Sequence, residues 1–287
     1  MSGSVKRVLV AGYGTMGRGV TLSFVRGGFE TIVLSRDPSR IADLPEGATA
    51  VSELPAEAPD LVLENVPEKV DVKHALYRRL EDAYDGAPII ATNTSGLSLE
   101  ELAAPLRHPE KFIGAHYLQP AEAFPLVEVI RIPATRDETT ARTTDAMERT
   151  GKQVITVNRP VAGFLFNRLQ HAMLHEAYWM IEQGIVTAED VDTFARRAFG
   201  PRMCVTGVIE QKDLSGIDTH ALSQLGIVPH LHHGAEPIRL VQDMYARGDL
   251  GVKTGKGFYD WTGRDVDAYK RKAAEKLKRI LAIIEEE

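Results

Sequence analysis

Arg7–Val20 reads RVLVAGYGTMGRGV, and the order of these residues decides what the first half of the chain becomes. An aliphatic run long enough for one strand ends at Ala11, and Gly12, Gly14 and Gly17 follow as G-x-G-x-x-G. In such a turn the first glycine allows a sharp bend, the second lets a pyrophosphate approach the backbone, and the third lets the next helix pack against the strand. Thr15 and Met16 then fall in the opening turn of that helix, whose free N–H groups face the anion. The stretch predicts a strand-turn-helix unit that binds a dinucleotide.

The end of the second strand distinguishes the two nicotinamide cofactors, because an acid there bonds the ribose of NAD whereas an arginine accepts the extra phosphate of NADP. Here it reads VLSRDPSR, with Ser35 where the acid is expected, Arg36 next, and Arg40 one helical turn on. A hydroxyl beside a guanidinium suits a phosphate monoester. The reading favours NADP over NAD, with Asp37 as the residue that would serve a ribose instead.

Outward from the glycine loop, further strand-length runs recur: TIVL from Thr31, DLVLE from Asp60, PIIAT from Pro88, KFIGA from Lys111, LVEVI from Leu126 and QVITV from Gln153. Helical segments such as PEKVDVKHALYRRLEDAY lie between several of them, and this alternation implies parallel strands joined by crossover helices. After Pro160 the pattern turns helical, with Leu165, Leu169, Met173, Ala177 and Ile181 recurring every four residues. Thr187 and Asp265 read as helix starts, and the last helix carries Tyr269, Ala273, Leu277, Ile280 and Ile284 on one side. The expectation is an α/β protein: a Rossmann-type, doubly wound, mostly parallel sheet over residues 1–158, then an all-helical domain over 159–287.

Composition narrows the function classes. A formal net charge of −6 with 26% charged residues gives no electrostatic reason to bind nucleic acid or acidic lipid. Cys204 is the only cysteine, so no internal disulfide or cysteine-based zinc site can form, which fits a cytoplasmic chain; it reads as a small buried hydrophobe. No run resembles a signal peptide or a membrane span.

One ionisable pair stands out in an apolar setting, His116 and Glu128 in GAHYLQPAEAFPLVEV. A neutral imidazole can take a proton from a hydroxyl, and a carboxylate on its other nitrogen fixes the tautomer and stabilises the imidazolium that forms. The same residues also suit a core histidine and an outward-facing glutamate. His230, His232 and His233 in PHLHHG have no carboxylate or cysteine at ligand spacing, so they read as a loop and no metal is expected.

Together ENVPEKVDVK, ATNTSGLSLEEL, KFIGAHYLQPAEAFPLVEVI, PVAGFLFNRL, GVIEQKDLSGID and GVKTGKGFYDW, in that order after the glycine loop, resemble the 3-hydroxyacyl-CoA dehydrogenase family nearly end to end. The resemblance implies His116 as catalytic base, Glu128 as its orienting carboxylate, and Ser95 and Asn167 as contacts to substrate oxygens. For the cofactor it implies Gly12, Gly14 and Gly17 with Glu68, Lys73 and Lys253, and Asn93 beside them. It also implies a homodimer formed through the helical domain.

Three features depart from that family. Gln119 stands in HYLQP where the family has asparagine, and Val208 where it has proline. The long helical arm that the acyl-CoA enzymes insert between the second and third strands has no room between VLSRDPSR and DLVLE. The expected function is therefore an NAD(P)-dependent oxidoreductase acting on a small hydroxy acid or the matching oxo compound. The alternatives are a true NAD-dependent 3-hydroxybutyryl-CoA dehydrogenase and a dinucleotide sensor without catalysis.

Overall fold

The computed structural model describes residues 3–284 and 286. They form two compact units, Met1–Arg168 and Leu169–Glu287.

The first unit is built on an eight-stranded sheet in the order β3-β2-β1-β4-β5-β6-β7-β8. Its strands are β1 (Arg7–Ala11), β2 (Glu30–Leu34), β3 (Ala48–Val51), β4 (Leu61–Glu64), β5 (Ile89–Thr92), β6 (Phe112–Tyr117), β7 (Leu126–Ile130) and β8 (Gln153–Val157). All neighbours run parallel except β6 and β7. The chain leaves β1 on one side towards β2 and returns on the other side to β4, so the sheet reverses direction beside β1, where open α/β sheets bind their ligands.

Side chains of β1 alternate between two cores. Val8 and Val10 pack with Phe24 of α1 (Thr15–Arg26) on one face; Leu9 and Ala11 pack with Leu76, Tyr77 and Leu80 of α2 (Val70–Tyr84) on the other. All four β1 residues are fully buried, as expected of a parallel strand covered on both faces. The short α3 (Leu99–Ala103) follows β5, and α4 (Asp137–Arg149) connects β7 to β8. Between β2 and β4 there is one 3-10 turn, Pro38–Arg40, and β3, so DLVLE is the fourth strand rather than the third.

The first unit ends in the opening turn of α5 (Phe166–Glu182). The second unit contains the remainder of α5, then α6 (Ala188–Phe194), α7 (Gly200–Val205), α8 (Glu210–Ser215), α9 (Ile217–Ile227), α10 (Arg239–Arg247) and α11 (Val266–Ile284). Thr187 starts α6 through a reciprocal capping box with Asp190, and Asp265 accepts the Ala268 N–H at the start of α11. Among the described residues the apolar stripes are largely uncovered: Leu169 is 63% exposed and Tyr269 58%, and only Ala177 of the α5 stripe is buried. Cys204 is exposed, which corrects the expectation of a buried thiol: α7 carries Met203, Cys204 and Val205 on a surface that none of the described residues covers.

Candidate active site

The glycine loop shows the steric reasons for its residues. A Cβ on Gly12, where φ is +97°, would lie 2.6 Å from the Asn65 carbonyl oxygen, and one on Gly17 would lie 1.9 Å from the Gly12 oxygen. A Cβ on Gly14 would meet nothing within 4 Å among the described residues, which leaves space for an anion against the backbone. Gly14 stands at the start of α1 without a side-chain cap and with no acid in the first turn, so the helix N-terminus is unneutralised. Thr15 lines the cleft, while Met16 packs against the core. These residues fit a nicotinamide dinucleotide.

Gly12, Gly14, Ser35, Arg36, Arg40 and Asn65 border a cleft of about 1520 Å³. Both oxygens of Asp37 are engaged locally: Ser39 Oγ donates to one at 2.6 Å and Arg40 Nε lies 3.1 Å from the other. Arg18 is similarly paired with Asp43. Arg36 is exposed on the cleft wall and, among the described residues, joins no carboxylate.

From the cleft a chain of amides leads to the histidine strand. Asn93 Nδ2 donates to Asn65 Oδ1 at 2.9 Å, and Asn93 Oδ1 accepts the Tyr117 N–H. His116 and Glu128 are direct partners in the antiparallel β6–β7 ladder. Their side chains meet on the same face, with His116 Nδ1 2.6 Å from Glu128 Oε2. A carboxylate only accepts, so Nδ1 carries a proton and in the neutral ring Nε2 is the acceptor. Ser95 Oγ lies 3.2 Å from that Nε2.

Glu128 Oε1 accepts the N–H groups of Leu165 (2.8 Å) and Phe166 (3.0 Å) at the start of α5. Burial by itself would push Glu128 up, but His116 and the Phe166 and Leu165 N–H groups outweigh it and hold the carboxyl below its ordinary value. The backbone is turned for this by Gly163 (φ +78°) and Phe164 (φ +50°). Left-handed geometry is uncommon for a bulky residue, and Phe164 is held there by burial, with its ring 5.4 Å from the imidazole. Asn167 follows in the first turn of α5, half-buried.

Several participants are not evident from sequence. Glu64 ends the buried strand β4 and takes Lys73 Nζ on both oxygens at 2.8 Å, with Tyr77 and Thr92 hydroxyls on Oε2. Lys73, which the family pattern would place at the cofactor, has no exposed surface; its ammonium also lies 3.4 Å from Glu68. The usable signal is a carboxylate closing an otherwise apolar strand, with Lys73 and Tyr77 one turn apart on the buried face of α2. Lys152 is another: it donates to the Ala121 and Phe124 carbonyls and ties down the connection between β6 and β7 that contains Gln119.

Ser95, His116 and Glu128 stand in the order of a hydrolase triad. Yet the Ser95 N–H, a donor that an oxyanion would need, is already given to the Glu68 carboxylate at 3.1 Å. The arrangement instead suits proton transfer at an alcohol oxygen. Lys253 is exposed in the second unit, and His232 stacks there on Trp179 at 5.6 Å.

The sequence model of 3-hydroxyacyl-CoA dehydrogenase, NAD binding domain, matches residues 46–160, and that of the 3-hydroxyacyl-CoA dehydrogenase C-terminal domain matches 163–261. The chain belongs to the 3-hydroxyacyl-CoA dehydrogenase family. It is accordingly an NAD(P)-dependent oxidoreductase acting on CH–OH groups. It is 31% identical to the 3-hydroxybutyryl-CoA dehydrogenase of Bradyrhizobium diazoefficiens, over 92% of this chain and 98% of the relative. It is 27% identical to the 5-formyl-3-hydroxy-2-methylpyridine 4-carboxylate 5-dehydrogenase of Mesorhizobium japonicum, over 98% and 99%. A solved structure of an enzyme of that latter name, an NAD+ dependent dismutase, superposes with a TM-score of 0.91 at 26% identity, covering 98% of this chain and 99% of the other.

Proposed function

We propose that the chain moves a hydride between a nicotinamide cofactor and a small hydroxy acid or its oxo counterpart, with His116 as the base. The observation that carries this reading is the ordered line Ser95–His116–Glu128, in which the carboxylate fixes the imidazole tautomer and Nε2 is left as acceptor. When bound, the cofactor accepts or supplies the hydride. His116 Nε2 takes the hydroxyl proton in the oxidation direction, and Glu128 stabilises the resulting imidazolium. The Ser95 hydroxyl and the Asn167 amide hold substrate oxygens.

Two observations support a free acid over a CoA thioester. The connection from β2 to β4 contains only a 3-10 turn and a short strand, with no helical arm to carry a CoA handle. A relative matching almost end to end bears the name of a pyridine carboxylate dehydrogenase.

For the cofactor we favour NADP. Ser35 and the carboxylate-free Arg36 border the cleft at the end of β2, and Asp37 is occupied by Ser39 and Arg40. Gly12, Gly14, Thr15, Met16, Gly17 and Asn93 complete the cofactor side of the proposal, with Glu68 and Lys73 acting from behind it; Lys253, which the family pattern adds, lies in the second unit. We keep residues 1–158 as the dinucleotide-binding domain and 159–287 as the substrate and dimerisation domain. The second unit buries few apolar side chains, Ala177, Ile238 and Met244, and exposes many, which supports a homodimer through its helices. No helix of the described residues is long and apolar enough to cross a membrane, and the lone cysteine supports a cytoplasmic setting.

The test is an assay of small hydroxy and oxo acids, and of acetoacetyl-CoA, each with both reduced or oxidised cofactors. Turnover of a free acid with NADP(H), abolished in His116→Ala, is expected. Brisk turnover of acetoacetyl-CoA with NADH alone would overturn both finer claims, and cofactor binding without turnover on any substrate would make the chain a sensor.

A further inference from the structure

We propose that Glu68, anchored by the buried Lys73–Glu64 pair, is a positioning residue that holds Ser95 against His116 rather than a cofactor ligand. The inference rests on the proton-transfer site described above and concerns how that site is kept in register.

Ser95 sits in an exposed loop after β5, where the backbone is free of the ladder and nothing in the strand fixes a hydroxyl to within hydrogen-bond reach of the imidazole. The loop is nevertheless tethered. Glu68 Oε1 accepts both the Thr94 hydroxyl and the Ser95 N–H, and Thr94 Oγ1 accepts the Leu97 N–H, so two adjacent loop residues meet at one carboxylate and a third is tied to it through the Thr94 hydroxyl. Glu68 is itself set from below by the fully buried Lys73 ammonium, which Glu64 grips with both oxygens. Lys73 Nζ also lies 3.4 Å from the Asn93 carbonyl, two residues before Ser95.

The carboxylate is built for this anchoring. Burial alone would push Glu68 up, but the Thr94 hydroxyl, the Lys73 charge and the Ser95 N–H outweigh it, so it stays ionised and accepting. A Lys73 with no exposed surface cannot reach a ligand, so its charge acts only through its partners. The site is thus gripped from two sides, Glu128 fixing one ring nitrogen and Glu68 fixing the backbone of the serine whose hydroxyl faces the other.

The test uses the full chain with Glu68→Ala, Glu68→Gln, Ser95→Ala and the double variant Glu68→Ala/Ser95→Ala. Glu68 is the residue to change because it is half-exposed and its loss leaves the Lys73–Glu64 pair intact, so the variants fold. Two measurements are made: the His116 Nε2 nitrogen resonance at one fixed pH, which needs no turnover, and kcat with the cofactor Kd. Glu68→Ala should move the Nε2 resonance onto its Ser95→Ala position, and Glu68→Gln, which keeps an acceptor, should return it towards wild type. The kcat of Glu68→Ala should fall about tenfold, the scale of one lost hydrogen bond. The double variant should lie within about twofold of Ser95→Ala, because two changes acting on one contact are not additive. A wild-type resonance in Glu68→Ala, with a weakened cofactor Kd or with multiplying kcat losses, would overturn the proposal. If wild type turns over no substrate, the functional reading fails while the resonance still decides the role of Glu68.

Discussion

His116 and Glu128 face each other across the antiparallel pair β6–β7, and the strand register itself delivers Nδ1 to within 2.6 Å of the carboxylate. Glu128 is in turn fixed by two backbone donors at the start of α5, so neither member of the pair is free to rotate away.

Replacing Glu128 by glutamine therefore leaves a ring with no fixed tautomer and no partner for the imidazolium. We expect kcat to fall by roughly 10²–10⁴-fold, with a smaller change in KM, as measured by steady-state kinetics.

The same carboxylate links folding to acid. Its folded-state value is depressed, so it contributes stability that is complete above the ordinary carboxyl range and is lost as the pH falls through the depressed value. Denaturant titrations should show wild type more stable than Glu128→Gln at neutral pH, with the gap closing as the pH drops below about 4. A gap that persists unchanged in acid would assign the stability to packing.

Gly17 tests the loop without touching charge. Gly17→Ala puts a methyl group where the Gly12 oxygen stands 1.9 Å away, so β1 and α1 must part. A loss of about 1–3 kcal/mol in denaturant-measured stability, together with weaker cofactor binding, is the expected result.

Arg36 tests the cofactor proposal. Arg36→Ala should weaken NADPH binding by about 10–100-fold and leave NADH within about threefold, because only the phosphate ester gains charge-assisted bonds from the guanidinium. Equal losses for both cofactors, read by fluorescence titration, would remove the NADP assignment.

The apolar face of α11 tests assembly. Ile280→Asp should shift the sedimenting species from dimer to monomer, and the thermal midpoint of wild type should rise with protein concentration as that of the variant does not.

Much of this was legible in the sequence, and the exceptions have physical causes. The glycine loop announces itself because Gly12 and Gly17 answer backbone contacts while Gly14 leaves the backbone open, and the His116–Glu128 pair because charge is costly among aliphatic neighbours. β3 escapes notice because ATAV is a short edge strand, half-buried, with no strong aliphatic run. The antiparallel turn of β6 onto β7 is hidden because both strands are buried on both faces, and such strands read as unbroken apolar runs whatever their direction. Lys73 misleads because a lysine is ordinarily a surface charge, and only the fold brings Glu64, Tyr77 and Thr92 around it. Cys204 and the helical stripes mislead because periodicity tells which residues share a face, not which molecule covers it.

The β6–β7 pairing also separates two kinds of heritable information. Register is set by buried neighbours, Ala115 opposite Val129 and Tyr117 opposite Val127, and that framework places His116 opposite Glu128. The connection 118–125, where Gln119 lies, is not part of that framework and hangs from Lys152 instead. The connecting segment can therefore change in sequence without disturbing the strand register that brings His116 and Glu128 together.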